Sequence, residues 1–547
     1  MLETTFTTSA GSIRLTDFMP VATEEFKNSH LVPDRELIRI VDGLEGEVEI
    51  IVNFMPRPQY ATVKPDIADK GQLGLRIDAR PGSVGLHSPL KYSMCSGRAT
   101  ATAIVHAGER VPFSLTHVTE SPAVLPVLDT LSSALQRTIE WWEKWHEQCS
   151  YTGPYHEAVS RSALVLKLLH FSPSGAFIAA VTSSLPEKIG GNRNYDYRYC
   201  WLRDASLTIH AMCGAGYIRE AEAFGEWTLH ATRLTQPKLM VMYDVYGNIA
   251  RPERELGHLP GYKNSQPVRV GNMAREQVQM DIYGEVICGT AKLHHDKNIS
   301  KMDPESARAL ISFGRYVRDH WQEPDAGIWE ARDKLALHTH SLLLCWVALE
   351  ELLGMAKKGS LDKVPVQQFE GVRDEIRTYI ESKCWDESKE SYSSEPGTFT
   401  MDATLLLMAY HNFHEASSAR MRGTYKRLRS DLDAGGSLLY RYRQDEANGQ
   451  PAEGAFGICG FWAAEYLAMG GGSLEEAEST FQELVGYAND VGLFAEEIDP
   501  ETRGARGNFP QAFTHVGLIS AALAIETRRK KELQIRNPDE LNHEGEC

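Results

Sequence analysis

Apolar positions recur with two different periods along this chain. Over the first 120 residues they fall in short runs rich in β-branched residues: Thr4-Thr5-Phe6-Thr7-Thr8, Ser12-Ile13-Arg14-Leu15-Thr16, Leu37-Ile38-Arg39-Ile40-Val41, Val48-Glu49-Ile50-Ile51-Val52, Ala101-Thr102-Ala103-Ile104-Val105 and Val111-Pro112-Phe113-Ser114-Leu115. Gly and Asp punctuate these runs, as they do between half-buried strands. The pattern predicts a β-sandwich domain over residues 1–120. Residues 121–150 then read as a helical linker in which Trp141, Trp142 and Trp145 share one helical face, a packing stripe rather than a ligand site.

From residue 151 to about 530 the period lengthens to that of a helix, and residues 531–547 are left as a C-terminal tail. Twelve helical segments are expected, at 154–171, 203–214, 218–234, 277–294, 303–321, 336–354, 366–384, 401–411, 416–430, 455–469, 474–490 and 511–527. The odd-numbered ones, such as Ser306-Ala307-Arg308-Ala309-Leu310-Ile311-Ser312-Phe313, carry a charged face; the even-numbered ones, such as Ser341-Leu342-Leu343-Leu344-Cys345-Trp346-Val347-Ala348-Leu349, are apolar nearly all round. Alternating exposed and buried helices predict a toroid of six helical hairpins. The links into buried helices (172–202, 235–276, 322–335, 385–400, 431–454 and 491–510) are long and rich in Gly, Pro and aromatics. In a toroid all six fall at one end, ringing one central depression where a site belongs.

Composition narrows the partners. A chain of 547 residues with 42% hydrophobic content can bury more than one core. A net charge of −17 argues against nucleic acid and suits a neutral substrate. Nine cysteines without a CxxC pair read as reduced core thiols. Met1-Leu2-Glu3-Thr4-Thr5 lacks the basic start and apolar run of a signal peptide, and no apolar stretch long enough to cross a bilayer is evident, so the expectation is a cytoplasmic protein with no membrane partner. The sequence leaves a homo-oligomer open.

The chemistry sits in the long links. Gly190 to Asp204 interleaves Tyr195, Tyr197, Tyr199 and Trp201 with Arg193, Arg198, Arg203, Asp196 and Asp204. Aromatic faces stack on sugar rings and Arg/Asp pairs bind hydroxyls, so the mixture suits a carbohydrate pocket; the same charges would also pair with one another in a packed loop. Tyr197, Trp201, Arg203 and Asp204 are the candidate sugar-binding residues here. The third link holds Trp329-Glu330, an acid beside a large apolar ring that would desolvate it and keep it protonated, as a general acid must be. The sixth holds Glu496-Glu497, of which one is expected to be functional and the other solvated or ion-paired, because adjacent carboxyls do not readily bury two charges. Arg441 and Glu453 in the fifth suit binding or support. His294-His295-Asp296 and His338-Thr339-His340 come without the helix-borne carboxylate of a metal site, and no metal or other cofactor is expected.

At these motifs the chain resembles glycoside hydrolase family 15, the glucoamylase-like enzymes, and within it the prokaryotic-type branch that includes trehalases. The resemblance is carried by Arg193 to Ala205, by Pro267-Val268-Arg269-Val270-Gly271-Asn272, by Gly327-Ile328-Trp329-Glu330, by Glu453-Gly454-Ala455-Phe456, and by Ala495 to Pro500 with Gly507 to Phe513, five motifs in the family's order. It implies a β-sandwich followed by an (α/α)6 barrel, with Glu330 as general acid, Glu496 rather than Glu497 as general base, and Arg203 with Asp204 holding a terminal glucose. Trp329, Arg441 and Glu453 would complete the substrate site. Two departures stand out: relatives carry further strands ahead of the equivalent of Leu2, and a lysine in many of them is Leu342 here.

The expected activity is inverting, exo-acting hydrolysis of α-glucosidic bonds, releasing β-glucose from non-reducing ends of α-glucans or gluco-oligosaccharides. Trehalose is the alternative substrate, with the links 235–276 and 385–400 expected to shape the leaving-group side. A phosphorolytic enzyme would dispense with Glu496, and a sugar-binding protein without activity would need neither carboxylate.

Overall fold

The computed structural model describes residues 1–78, 82–119, 124–296, 301–332, 334–443 and 453–536. They form two compact units, Met1–Gln148 and Cys149–Cys547.

The first unit is built on antiparallel strands β1 (Leu2–Thr7), β2 (Gly11–Phe18), β3 (Glu36–Phe54), β4 (Ile67–Asp69), β5 (Leu75–Asp78), β6 (Ser83–His87), β7 (Ser93–Cys95), β8 (Arg98–His106) and β9 (Arg110–Val118). The order is β1-β2-β3-β9-β6-β5-β4, with β8 and β7 added beside the second half of β3. Residues 37–41 and 48–52, which read as separate strands, are therefore one strand of 19 residues. Its first half pairs with β2 and β9 and its second with β8. The glycines read as a turn instead bend the strand from one layer into the other, with Gly46 at φ +60°, a conformation a β-carbon disfavours. Ile13, Val41, Leu86 and Phe113 from one layer meet Val48, Ala99 and Val105 from the other in one core. On the far face Phe18, Ile38 and Ile40 are covered by Leu131 and Ala134 of the helix Leu131–His146. That helix, read from sequence as a linker, thus completes the sheet domain.

Among the described residues, the second unit holds twelve α-helices: α1 (His156–Leu169), α2 (Ala205–Gly214), α3 (Ile218–Thr232), α4 (Asp281–Asp296), α5 (Pro304–His320), α6 (Thr339–Lys357), α7 (Val366–Tyr379), α8 (Leu407–Tyr410), α9 (Ala419–Asp431), α10 (Gly457–Tyr466), α11 (Leu474–Val485) and α12 (Ala512–Arg536). The even-numbered helices pack in sequence, α2 on α4, α4 on α6, α6 and α10 on the turn that opens α8, α10 on α12, and α12 back on α2, which closes the inner ring. The odd-numbered helices pack outside them. Their patterns explain the division: α5 buries Ala309, Leu310, Phe313 and Val317 along one stripe, whereas α6 is buried at every position from Thr339 to Leu349. This is an (α/α)6 barrel.

Three expectations need correcting. The eighth segment is α-helical only over Leu407–Tyr410; its first turn, Ala403–Leu406, is a 3-10 turn capped by Asp402, which accepts the Thr404 N–H at 2.8 Å. The fourth begins at Asp281, not residue 277, and residues 277–280 run against the third long link instead. Among the described residues one helix, Thr339–Lys357, is long and apolar enough to cross a bilayer, but that helix is α6, whose apolar surface faces the other barrel helices. The eight described cysteines are thiols, six of them buried.

Candidate active site

The links into the inner helices surround a cavity of about 1070 Å³. Six of the nine residues expected in a site line it: Tyr197 and Arg203 from the first link, Trp329 and Glu330 from the third, Arg441 from the fifth and Glu496 from the sixth. Trp201, Asp204 and Glu453 stand behind the wall, at 2%, 7% and 4% exposure. The fourth link contributes Ser394, Glu395 and Thr400 to the lining, as expected of 385–400. The second does not reach the cavity among the described residues; Arg269 there braces the first link by donating to the Asn192 carbonyl at 2.7 Å.

The stretch Gly190 to Asp204 divides its labour. Arg198 and Asp196 pair with each other, Nε and Nη2 each donating to a carboxylate oxygen at 2.8 Å, and Asp196 also takes the Gly271 N–H at 3.0 Å. For these two the packed-loop reading holds. Tyr197 and Arg203 turn into the cavity instead.

Glu330 accepts hydrogen bonds from the Trp201 indole N–H and from Arg203 Nη1 (3.2 Å), both on Oε1. No donor reaches Oε2 among the described residues. The indole hydrogen-bonded to Glu330 is thus not its sequence neighbour's. Glu330 sits at φ +60°, and the Trp329 indole N–H goes to Asp402 Oδ2 at 2.7 Å, with its ring edge-on to Phe456 at 5.1 Å. A left-handed conformation at a residue with a β-carbon costs about 1–3 kcal/mol and marks a position the surroundings over-determine. Arg203 also donates from Nε to Asp204 Oδ1 (2.8 Å) and from Nη1 to the Ile328 carbonyl (2.8 Å), which ties the first link to the third.

Glu496, 1% exposed, accepts the Tyr197 hydroxyl at 2.5 Å. Burial pushes its pKa up to about 7, against the opposing pull of the Tyr197 hydrogen bond and the Arg441 charge. The following Gly507, at φ +73°, leaves the room this carboxylate uses: a β-carbon there would lie 2.4 Å from Glu496 Oε2. The Tyr197 and Trp201 rings meet edge to face at 5.3 Å, so the two carboxylates are linked through a pair of aromatic side chains rather than touching.

Glu497 corrects the expectation that one of the adjacent acids is solvated or ion-paired. It is fully buried, accepts the Gly454 N–H at 2.8 Å on Oε2, and has no partner on Oε1 among the described residues. Burial, with Glu187 and Glu453 nearby, drives its pKa well up. Successive residues of an extended segment face opposite ways, which puts Glu496 on the cavity and Glu497 behind it. At the wall, where Arg441 and Glu187 line the cavity, Arg441 binds Glu453 through two bonds of 2.7 Å and Glu187 through one of 3.1 Å. Arg193 also pairs with Glu453.

Sequence reasoning missed Glu187, Asp402 and Gln277, the last of which donates to the Glu330 carbonyl at 3.2 Å. Each has its partner in a distant link, and no local pattern marks it.

The trehalase of Thermoplasma acidophilum is 31% identical over 519 residues, covering 94% of this chain and 86% of that protein. The trehalase of Mycobacterium tuberculosis is 32% identical over 504 residues, covering 89% and 73%. In fold, the chain is similar to a bacterial glucoamylase solved with acarbose, at a TM-score of 0.70 and 14% identity, covering 96% of this chain and 85% of that one. The profile of Glycosyl hydrolases family 15 matches residues 153–471 and 472–523, the whole ring that carries the cavity. With most of its length inside that match, the chain belongs to glycosyl hydrolases family 15 and is a glycoside hydrolase.

Proposed function

We propose that this chain hydrolyses α,α-trehalose to two molecules of glucose. The observation that carries the reading is the likeness to trehalases across 94% of the chain, which reverses the order of substrates expected from sequence, where α-glucans came first. The cavity supports it. Its lining includes Arg203, Glu496 and Phe513, which suit a terminal sugar, while Lys334, Glu395 and Thr400 from the third and fourth links offer charged and hydroxyl partners to a second compact sugar.

In this reading one glucosyl unit lies beneath Arg203, whose guanidinium is oriented by Asp204. Glu330 delivers its proton to the bridging oxygen as the bond to the anomeric carbon breaks. Glu496, as carboxylate, takes a proton from a water that attacks that carbon from the opposite face. The products are neutral, and the two carboxyls exchange protonation states, to be reset by solvent.

Inversion makes a specific forecast for a symmetrical α,α-linked substrate. The attacked glucose leaves as the β anomer and the departing glucose keeps its α configuration, so early proton NMR spectra should show the two anomers in equal amounts. Formation of α-glucose alone would mean retention, and Glu496 would not be a base that activates water. Glucose release from trehalose, compared with maltose, isomaltose, maltoheptaose and dextran, tests the substrate. Faster release from maltoheptaose than from trehalose would return the chain to a glucoamylase-like role.

The pH dependence follows from Glu496. The base works only when ionised, so kcat/KM should fall as the pH drops through about 7, the value burial gives this carboxyl. The Tyr197 hydroxyl stabilises the ionised form; Tyr197→Phe removes that bond and should move the acidic limb upward by about one pH unit, equivalent to about 1.4 kcal/mol. A limb that stays put or moves down in Tyr197→Phe speaks against Glu496 as the titrating base.

A further inference from the structure

Glu330 occupies the left-handed region, φ +60°, although it carries a β-carbon. Such a conformation persists only where neighbours hold it. Residues 277–280, at the end of the second long link, grip the segment that bears it. The Ala326 N–H donates to the Val278 carbonyl at 3.0 Å, and the Met280 N–H donates to Asp325 Oδ2 at 2.7 Å. These contacts fix the segment ahead of Glu330. Gln277 fixes Glu330 itself, because its Nε2 donates both to the Glu330 carbonyl at 3.2 Å and to the Ala331 carbonyl at 3.1 Å.

The Gln277 amide is itself held. Its Oε1 accepts from Gln279 Nε2 at 3.1 Å, and Gln279 is 1% exposed, so the amide presents its two N–H groups to the acid's peptide and its oxygen away from it. Gln277 is not part of the cavity lining, and a sugar in the cavity meets Glu330 rather than Gln277.

We infer that Gln277 is a positioning residue for the proton donor. By pinning the two carbonyls that follow the Glu330 α-carbon, it keeps Glu330 in the strained conformation that places its carboxyl under the Trp201 indole and Arg203. Without those bonds the backbone relaxes toward an ordinary conformation, and Oε2 swings away from the bridging oxygen. The base, Glu496, lies on a different link and is untouched. This rests on the reading of Glu330 as general acid, and the test separates the two claims.

The separating substrate is α-D-glucosyl fluoride, whose leaving group departs as fluoride ion and needs no proton from the enzyme, whereas trehalose does. Gln277→Met, of similar length but without donors, should lower kcat on trehalose by about tenfold or more, with KM within about twofold, and leave glucosyl fluoride hydrolysis within about threefold of wild type, a fraction of the roughly 10²–10⁴-fold worth of a general acid. Glu330→Gln, measured in parallel, should show the same selectivity with a larger loss. If Glu330→Gln slows both substrates alike, Glu330 is not the acid and the inference on Gln277 falls with it. If Glu330→Gln spares the fluoride while Gln277→Met slows both substrates alike, or neither, Glu330 remains the acid and the role of Gln277 is overturned. Should Gln277→Met fail to fold, Gln277→Glu keeps the shape while its ionised form lacks the donors, and the same selective loss on trehalose is required of it.

Discussion

Replacing Glu330 or Glu496 by glutamine is expected to lower turnover of trehalose by at least about 10²–10⁴-fold each, the usual worth of one general acid or base, while the fold survives. The amide keeps the acceptor that Trp201 and Arg203 bind at position 330, and the acceptor that Tyr197 binds at position 496. What it removes is the transferable proton in one case and the basic oxygen in the other. Glu497→Gln is the internal control. Glu497 is not part of the cavity lining, and its oxygen that accepts the Gly454 N–H has a counterpart in the amide, so the isosteric change costs little and activity should stay within about tenfold of wild type. Steady-state kinetics with circular dichroism on the three variants decides the matter. A crippled Glu497→Gln beside a mild Glu496→Gln would reverse the assignment of the base.

Arg441→Met is expected to cost about 3–5 kcal/mol of stability, the usual penalty for removing one member of a buried ion pair. Arg441 is 7% exposed and faces Glu453 and Glu187, themselves 4% and 2% exposed, so the substitution leaves carboxylates in the interior without a principal counter-charge. The pH dependence gives a second signature. Burial already raises the pKa of Glu187 to about 8 against the opposing pull of Arg441, and loss of the arginine raises it further. A carboxyl whose folded pKa exceeds its unfolded value, about 4.3, binds its proton more tightly in the fold, so it disfavours the folded state progressively as the pH rises between those two values. The gap in Tm between wild type and Arg441→Met should therefore widen once the pH passes about 8, where the wild-type carboxyl ionises and the variant's holds its proton. A gap that is small and unchanged on crossing that pH would mean that the cluster is hydrated and the pair contributes little.

Position-specific patterns read well where each residue's environment is set by its own element. A helix on the inner ring is surrounded by other helices, so α6 is apolar all round; a helix on the outer ring faces water, so α5 carries one stripe. That difference is written in every turn, and it made the alternation of twelve helices legible together with the end of the barrel at which the long links gather. The links themselves are legible only as composition. Tyr, Trp, Arg and Asp mixed in residues 190–204 signal a polar, aromatic environment, but nothing in their order says that Asp196 satisfies Arg198 while Tyr197 and Arg203 face the cavity. The same limit applied to β3, where Gly43 and Gly46 mark a turn in most sequences and here mark a bend within one long strand.

By itself, then, the sequence determined the two kinds of unit, the six hairpins, the carboxylates worth considering and the loops that carry them, because burial period and residue chemistry are local properties. Tertiary structure decided everything that depends on a partner far along the chain. It paired Glu330 with Trp201 rather than with the adjoining Trp329, because the left-handed backbone at Glu330 accompanies a Trp329 indole turned toward Asp402. It separated Glu496 from Glu497, because neighbours on an extended segment face opposite sides and only one side is the cavity. It gathered Glu187, Arg441 and Glu453 into one buried cluster at the cavity and set Gln277 behind Glu330, from three links. A buried charge or amide is tolerated only where its partner has been folded against it, and that partner's position along the chain leaves no mark on the residues beside it.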